Sequence, residues 1–248
     1  MQKCKDFKML IFLDVETTGL EDIDRICSIG LILIENNVIT NSYDLINEGK
    51  KISSKASSIN HITNEMIKDK PLFKDSNTFK ILDNYNIESS TIIGHNINFD
   101  IEMLKKSGFF FKGNLIDTLR ISKHLIQDSQ SYSLQFLRYE LKLYKEDEKN
   151  LLECQVNETI TPHNALSDAI CIKELYDYHL KSQNIKMLQM LSYQPVLMQK
   201  LPFGKYEGKF IEEIYLSERG YLEWILNSII DLDEDLRYSI NYYLKGEL

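Results

Sequence analysis

Apolar positions along the chain switch between unbroken runs and helical spacing. Three runs fill the first fifty residues: Phe7 to Leu13, almost wholly apolar, Ile26 to Ile34, β-branched and apolar, and Val38 to Ile46, which follows the turn residues Glu35, Asn36 and Asn37. Short apolar runs bounded by turn residues predict strands, with antiparallel hairpin partners beside a central strand. Past residue 60 the spacing changes. Thr63 to Lys70 and Asp75 to Tyr85 are expected as helices separated by Pro71, the second with Phe79, Leu82 and Tyr85 as its apolar residues. Thr91 to Gly94 is a short strand of buried type and Phe99 to Lys106 a helix. Ser122 to Gln127 and Ser133 to Leu143 continue the helical part, the latter with Leu134, Leu137 and Leu141 at helical spacing. The clearest helix is Ala165 to Lys181, where Leu166, Ala169, Ile170, Leu175 and Tyr178 build one apolar face.

Strands first, then strands alternating with helices, predict an α/β layered domain over residues 1–182. Residues 183–200 form a linker, a helix followed by a connector at Gln194-Pro195. Residues 201–248 form a small α+β appendage with a turn-rich opening, PFGKYEGK, and amphipathic helices around Tyr221 to Ile230 and Asp235 to Leu244. A length of 248 residues allows that division, and 10 glycines with 4 prolines are too few for a low-complexity chain. No apolar run reaches the roughly 18 residues of a membrane helix, and MQKCKDF lacks the apolar stretch of a signal peptide. A cytoplasmic protein with no membrane partner is therefore expected. Cys4, Cys27, Cys154 and Cys171 stand without a CxxC pair, which fits reduced thiols and offers no zinc-finger spacing. The formal charge of −8, from 29 basic and 37 acidic residues, argues against a protein that coats nucleic acid by bulk attraction. It leaves a nuclease open, because carboxylates that hold cations can make a local phosphate site on a negative molecule.

Three fragments carry chemistry. LDVETTG lies where the first strand runs out, so Asp14 and Glu16, two apart in extended backbone, project from one face. A carboxylate pair at the end of a buried strand needs neutralising, and a hard divalent ion with oxygen ligands is the usual partner. Thr17, Thr18 and Gly19 add hydroxyls and a flexible backbone beside the pair. GHNINFD begins where the second buried strand ends; Asp100 falls at the strand terminus or first helical turn, and Asn98 is placed to cap the helix. His95 and Asn96 occupy that turn. PHNALSDA opens the long helix, with Pro162 suited to its start and His163 and Asp168 about one and a half turns apart. Asp168 can then lie against the other carboxylates while His163 reaches a water. Each fragment alone has an ordinary structural reading: a solvated turn, an acid at a helix N-terminus, a capping histidine.

Together and in order, DVETTG, HNINFD and HNALSD resemble the DEDD superfamily of 3′→5′ exonucleases, the DnaQ-like proteins. The histidine five residues before the last aspartate is similar to the DEDDh branch. The resemblance spans about Phe7 to Lys181 and takes in SINHIT (Ser58 to Thr63), IDTL (Ile116 to Leu119) and YSLQFL (Tyr132 to Leu137). SINHIT departs from the family, with Asn60 and His61 where a histidine followed by glycine is usual. The resemblance implies an RNase H-like mixed β-sheet flanked by helices and two Mg²⁺ or Mn²⁺ ions as cofactors. Asp14 would bridge both ions, Glu16 and Asp168 would complete the ion that orients the attacking water, and Asp100 would hold the second. His163 would be the base, and Thr17, Thr18, Gly19 and Leu20, with His95 and Asn96, would meet the terminal nucleotide. The implied activity is release of nucleoside 5′-monophosphates from single-stranded or frayed 3′ ends of DNA, in repair or proofreading. The alternatives are an RNA-trimming relative of the oligoribonuclease or RNase T kind, or a non-cutting module docked on a polymerase or clamp.

The C-terminal stretch from Leu201 to about Leu226 resembles the small domain appended to some exonuclease X-like proteins. GKYEGK is no P-loop: three residues separate Gly204 from Gly208 and Phe210 stands where a magnesium-binding hydroxyl would be. Residues 181–210 hold five lysines against Glu207 alone, and Lys200, Lys205 and Lys209 are interleaved with Phe203, Tyr206 and Phe210. Lys200, Lys205, Tyr206 and Lys209 are therefore candidates for contact with nucleic acid, although a solvated turn over core aromatics has the same composition. Trp224 is expected in the core. Gln194 to Met198, QPVLM, resembles short sliding-clamp-binding peptides.

Overall fold

The computed structural model describes residues 9–126 and 129–246. Cys4, the expected strand start at Phe7 and the expected helix end at Gln127 lie outside the described residues. Five strands form one sheet: β1 (Met9–Thr17), β2 (Ile26–Glu35), β3 (Val38–Leu45), β4 (Ser90–Gly94) and β5 (Asn114–Asp117), in the order β3-β2-β1-β4-β5. The β1–β2 and β2–β3 pairs are antiparallel and the β1–β4 and β4–β5 pairs parallel, so β1 is the central strand of a mixed sheet.

The helices are α1 (Ser54–Asn60), α2 (Asn64–Ile67), α3 (Asn77–Asn84), α4 (Ile97–Lys106), α5 (Thr118–Leu125), α6 (Leu134–Glu140), α7 (Asp147–Glu153), α8 (Ala165–Leu180), α9 (Ile185–Tyr193), α10 (Ile211–Ser228) and α11 (Glu234–Lys245). Odd-numbered residues of β1, among them Ile11, Leu13 and Val15, enter a core cluster with Leu82 of α3 and Ile101 and Leu104 of α4. On the other face Phe12 meets Tyr176 of α8 edge to face, with ring centroids 5.4 Å apart. The strand's period of two thus aims Asp14 and Glu16, like Phe12, at the α8 side. Helix α8 comes down close on β2 because Gly30 is there: a Cβ at that position would lie 2.3 Å from the Leu166 nitrogen. In the β1–β2 register Gly30 is the partner of Asp14.

Two helix starts differ from the sequence expectation. Helix α4 has Asn96 at its N-cap position, in left-handed conformation at φ 66° and without a side-chain capping bond, while Asn98 lies within its first turn. Helix α8 begins at Ala165 behind Asn164, whose side chain accepts from the Ser167 N–H, so Pro162 and His163 precede the helix and do not open it. His163 itself has φ 58°.

The chain divides into two compact units, one comprising residues up to 119 together with 131–192, the other residues 120–130 and those from 193 onward. In the second unit Leu201, Ile211, Ile214, Leu222, Ile225, Leu236 and Ile240 form a core of their own. Its strand-like pairing among the described residues is one isolated bridge, Lys200 to Phe210. Helix α10 is kinked at Glu218. Trp224, expected in the core, is 53% exposed. The segment Gln194 to Met198 is tied down along its backbone: Val196 is buried and its N–H donates to Asp235, and the Met198 N–H donates to Ser239. No helix among the described residues is long and apolar enough to cross a membrane.

Candidate active site

The parallel ladder between β1 and β4 stops at Phe12 and Ile93, while β1 runs on to Thr17. That leaves the end of β1 open on one side, and the chemistry collects there. The Val15 N–H donates to Asp100 Oδ1 at 3.1 Å, fixing the first turn of α4 against the strand end. The α4 start is itself held by Asp117, one carboxylate oxygen of which accepts the Asn96 N–H at 3.0 Å and the Leu119 N–H at 2.9 Å. From the other face α8 brings Asp168. Its Oδ1 accepts Gln135 Nε2 at 2.8 Å and its Oδ2 accepts the His163 N–H at 2.9 Å. Asp14, Glu16, Asp100, His163 and Asp168 line one cavity of about 570 Å³.

Asp100 and Asp168 are 3% and 6% exposed, and Asp14 and Glu16 are partly buried. Burial raises the pKa of Asp14 well above the usual carboxylate value, reinforced by Asp100, Asp168 and Glu16. Burial does the same to Asp100, opposed by the Val15 amide. It lifts Glu16 to about 8, with Asp168 adding to it and a hydrogen bond from Asn60 opposing. Asp168 rises to about 6 through burial, with Gln135 and His163 holding it down. No lysine or arginine salt bridge reaches these four carboxylates among the described residues. Four desolvated carboxylates without a lysine or arginine salt bridge among the described residues are a hard oxygen donor set, and divalent cations fit it. Glu16, His163 and Asp168 each offer a ligand atom, all within 4.8 Å of one another.

The other residues expected at the site divide by what their polar atoms already do. Thr17 Oγ1 donates to the Gly19 carbonyl at 2.7 Å, and Thr18 Oγ1 to Asp24 Oδ1 at 2.6 Å, so both buried hydroxyls lock their own loop. Gly19 has no room for a Cβ, which would lie 2.4 Å from Asp24 Oδ2. Leu20, 78% exposed, lines the cavity with His95 and Asn96. The His95 ring meets the Tyr132 carbonyl through Nε2 at 2.7 Å and Thr118 Oγ1 through Nδ1 at 3.0 Å. A carbonyl only accepts, so Nε2 carries a proton and the ring is a strut between neighbouring loops. A second cavity of about 510 Å³ adjoins the first along Glu16, Leu20 and Phe99 and is lined further by Ile23, Ile59 and Asn60. Lys200, Lys205, Tyr206 and Lys209 belong to the second unit and take no part in this cavity.

Three residues at the site escape a reading of the sequence. Gln135 sits inside YSLQFL, but its partner Asp168 lies 33 residues away. Asn60 stands where SINHIT departs from the family; its amide donates to the Thr17 carbonyl at 3.2 Å while its Oδ1 accepts the Ile62 N–H. Asp117, within IDTL, braces the Asn96 turn.

A family model described as "Exonuclease" matches residues 11–176, well over half of the chain. The chain belongs to the exonuclease family. A second model, "Exodeoxyribonuclease X-like C-terminal", matches residues 201–229. This exonuclease is 28% identical to Exodeoxyribonuclease 10 of Escherichia coli (strain K12) over 96% of its own length and 100% of the relative's. It is 35% identical to DNA polymerase III subunit epsilon of Rickettsia prowazekii (strain Madrid E), over 67% of this chain and 71% of that one. Among solved structures, one described as Exonuclease X in complex with 5′ overhanging duplex DNA superposes with a TM-score of 0.56 at 22% identity, covering 74% of this chain and 99% of that chain. The nuclease domain of 3′hExo, a DEDDh family member bound to rAMP, gives 0.53 at 12% identity over 71% and 94%. These likenesses bear out the RNase H-like mixed sheet flanked by helices.

Proposed function

We propose that the protein is a cytoplasmic 3′→5′ exonuclease acting on single-stranded or frayed DNA ends, with two Mg²⁺ or Mn²⁺ ions as cofactors and nucleoside 5′-monophosphates as products. The observation that carries this reading is the convergence of four desolvated carboxylates and one exposed histidine on one cavity. The relatives' names, an exodeoxyribonuclease and a DNA polymerase subunit, support DNA as the polymer. Action beside a polymerase or sliding clamp belongs to the same proposal and draws its support from the epsilon relative.

In this reading Asp14, Glu16, Asp100 and Asp168 hold the cations. Two divalent ions bound there would supply Lewis acidity at the phosphate and would lower the pKa of a water. His163 stands on the loop before α8 with its ring exposed and accepts the proton from that water. Its backbone N–H on Asp168 fixes that loop. Gln135 holds Asp168 in one orientation from the other side. Leu20 and Phe99, between the two cavities, receive the terminal nucleoside on apolar surface, while the pinned Thr17 to Gly19 loop keeps its backbone in place beside it.

The test is nucleotide release from a 3′-labelled single strand, DNA and RNA in parallel, with Mg²⁺, with EDTA, and for Asp14→Ala. Metal-dependent release of deoxynucleotides, lost in EDTA and in the variant, is expected. Release from RNA alone moves the protein to the RNA-trimming branch, and no release from either polymer overturns the reading.

A further inference from the structure

The second unit carries a surface that the hydrolytic site does not use. Its loop from Lys200 to Phe210 is a built turn: the Leu201 N–H donates to the Lys209 carbonyl at 2.9 Å and the Gly208 N–H to the Leu201 carbonyl at 2.8 Å. Gly204, at φ 81°, admits Tyr221; a Cβ there would lie 2.6 Å from the Tyr221 hydroxyl. Tyr206 packs edge-on against Tyr221 with centroids 5.0 Å apart, and Tyr221 stacks on Trp224 at 5.7 Å and 26°. Two lysines lie over the Tyr206 end of this row and a third over Phe210. Lys205 Nζ and Lys209 Nζ lie 4.7 and 5.3 Å from the Tyr206 ring centre, and Lys200 Nζ lies 5.0 Å from that of Phe210.

Tyr206 and Tyr221 lean on the core of this unit, but Trp224 and Phe210 do not belong to it and are exposed. On α10 the buried positions are Ile211, Ile214, Leu222 and Ile225, while Trp224, between the last two, is half exposed, its ring stacked on Tyr221. Leaving the largest apolar side chain half in water forgoes stabilisation. Fixed aromatic faces beside ammonium groups match a polymer that alternates flat bases with phosphates. The chain is acidic overall, yet residues 193–210 of this unit hold Lys200, Lys205 and Lys209 against Glu207 alone.

We propose that Trp224, Tyr221, Tyr206 and Phe210, with Lys200, Lys205 and Lys209, form a second binding surface for single-stranded nucleic acid, the bases stacking on the rings and the phosphates meeting the lysines. The identity of the ligand rests on the exonuclease reading of the first unit.

Trp224 is the chain's single tryptophan, so its emission reports this surface directly. A single-stranded oligodeoxynucleotide of about 20 nucleotides is titrated into the full chain in EDTA, with Trp224 emission and the anisotropy of a labelled strand as readouts. Saturable quenching is expected, with log K falling against log salt at a slope of about 2 for three phosphate contacts. Charge reversal in Lys205→Glu/Lys209→Glu weakens binding at least about 10-fold, as does Trp224→Ala by anisotropy, since stacking is worth roughly that per base. All three side chains are exposed, and circular dichroism checks that each variant folds. Unchanged emission with the strand in excess, while the wild type releases nucleotides from that strand in Mg²⁺, overturns the surface and leaves the exonuclease standing. Quenching that survives charge reversal also overturns it. Absence of both quenching and release is failure of the exonuclease reading itself.

Discussion

Asp168 shows how much of this site depends on a neighbour's hydrogen bond. A buried carboxylate with one donor on each oxygen has a single orientation, and Gln135 and the His163 amide are those two donors. Gln135→Leu keeps the volume and removes the donor. Outer contacts of this kind typically cost 10- to 100-fold in metal affinity or activity. The expected outcome is a rise of about 10-fold in the half-saturating Mg²⁺ concentration for nucleotide release with little change in thermal stability, and a metal titration of both proteins checks it. For His163→Ala the expected loss in turnover is about 10²- to 10⁴-fold, the usual scale for a removed general base, while strand binding in EDTA persists. The acids and the histidine were legible because their spacing within short fragments carries the pattern. Gln135 and Asn60 were not, because their roles exist only through contacts that chain folding makes. Asn98 does not reach the cap position for a related reason: the turn after β4 places its left-handed residue at Asn96, so the helix starts one residue before Asn98.

Among the elements, β1, β2, β3, β4, α4 and α8 follow from apolar runs and periodicity, and three of them, β1, α4 and α8, carry the four carboxylates. The pieces that pattern missed are short. β5 has 4 residues and α1, SKASSIN, has no apolar stripe; α1 is instead made by its ends, Ser53 accepting the Ala56 N–H and His61 closing it in left-handed conformation. The close approach of α8 to β2 was equally hidden, since nothing in a lone glycine says what passes over it. Gly30→Ala tests that approach. Its methyl would press on Leu166 and Ala165 backbone atoms, which cannot rotate away. Overpacking of that kind costs roughly 1–3 kcal/mol, or a fall of about 3–10 °C in Tm for a chain of this size. Because α8 carries Asp168, displacement by about 1 Å is expected to cost 100-fold or more in turnover. Gly220→Ala, on α10 with open space around it, is the contrast: Tm should hold or rise slightly in the same melting experiment.

For the whole molecule, the four carboxylates set how stability varies with pH. Glu16 and Asp168 have folded-state pKa values raised to about 8 and about 6, and Asp14 and Asp100 are raised as well. A carboxyl whose pKa is higher in the folded than in the unfolded chain binds its proton more tightly when folded. Its contribution is complete below the unfolded value near 4 and is lost as pH rises through the folded value. Metal-free protein should therefore lose thermal stability between about pH 4 and pH 8, first through Asp168 and then through Glu16, which is opposite to the behaviour of salt-bridged carboxylates. Divalent cations compete with those protons, so they should restore Tm strongly at pH 8 and weakly at pH 5. Melting curves in EDTA and in Mg²⁺ across that range check both. A Tm in EDTA that climbs from pH 5 to pH 8 would mean that the carboxylates are ionised and paired within the protein, and the site would then have no use for a cation.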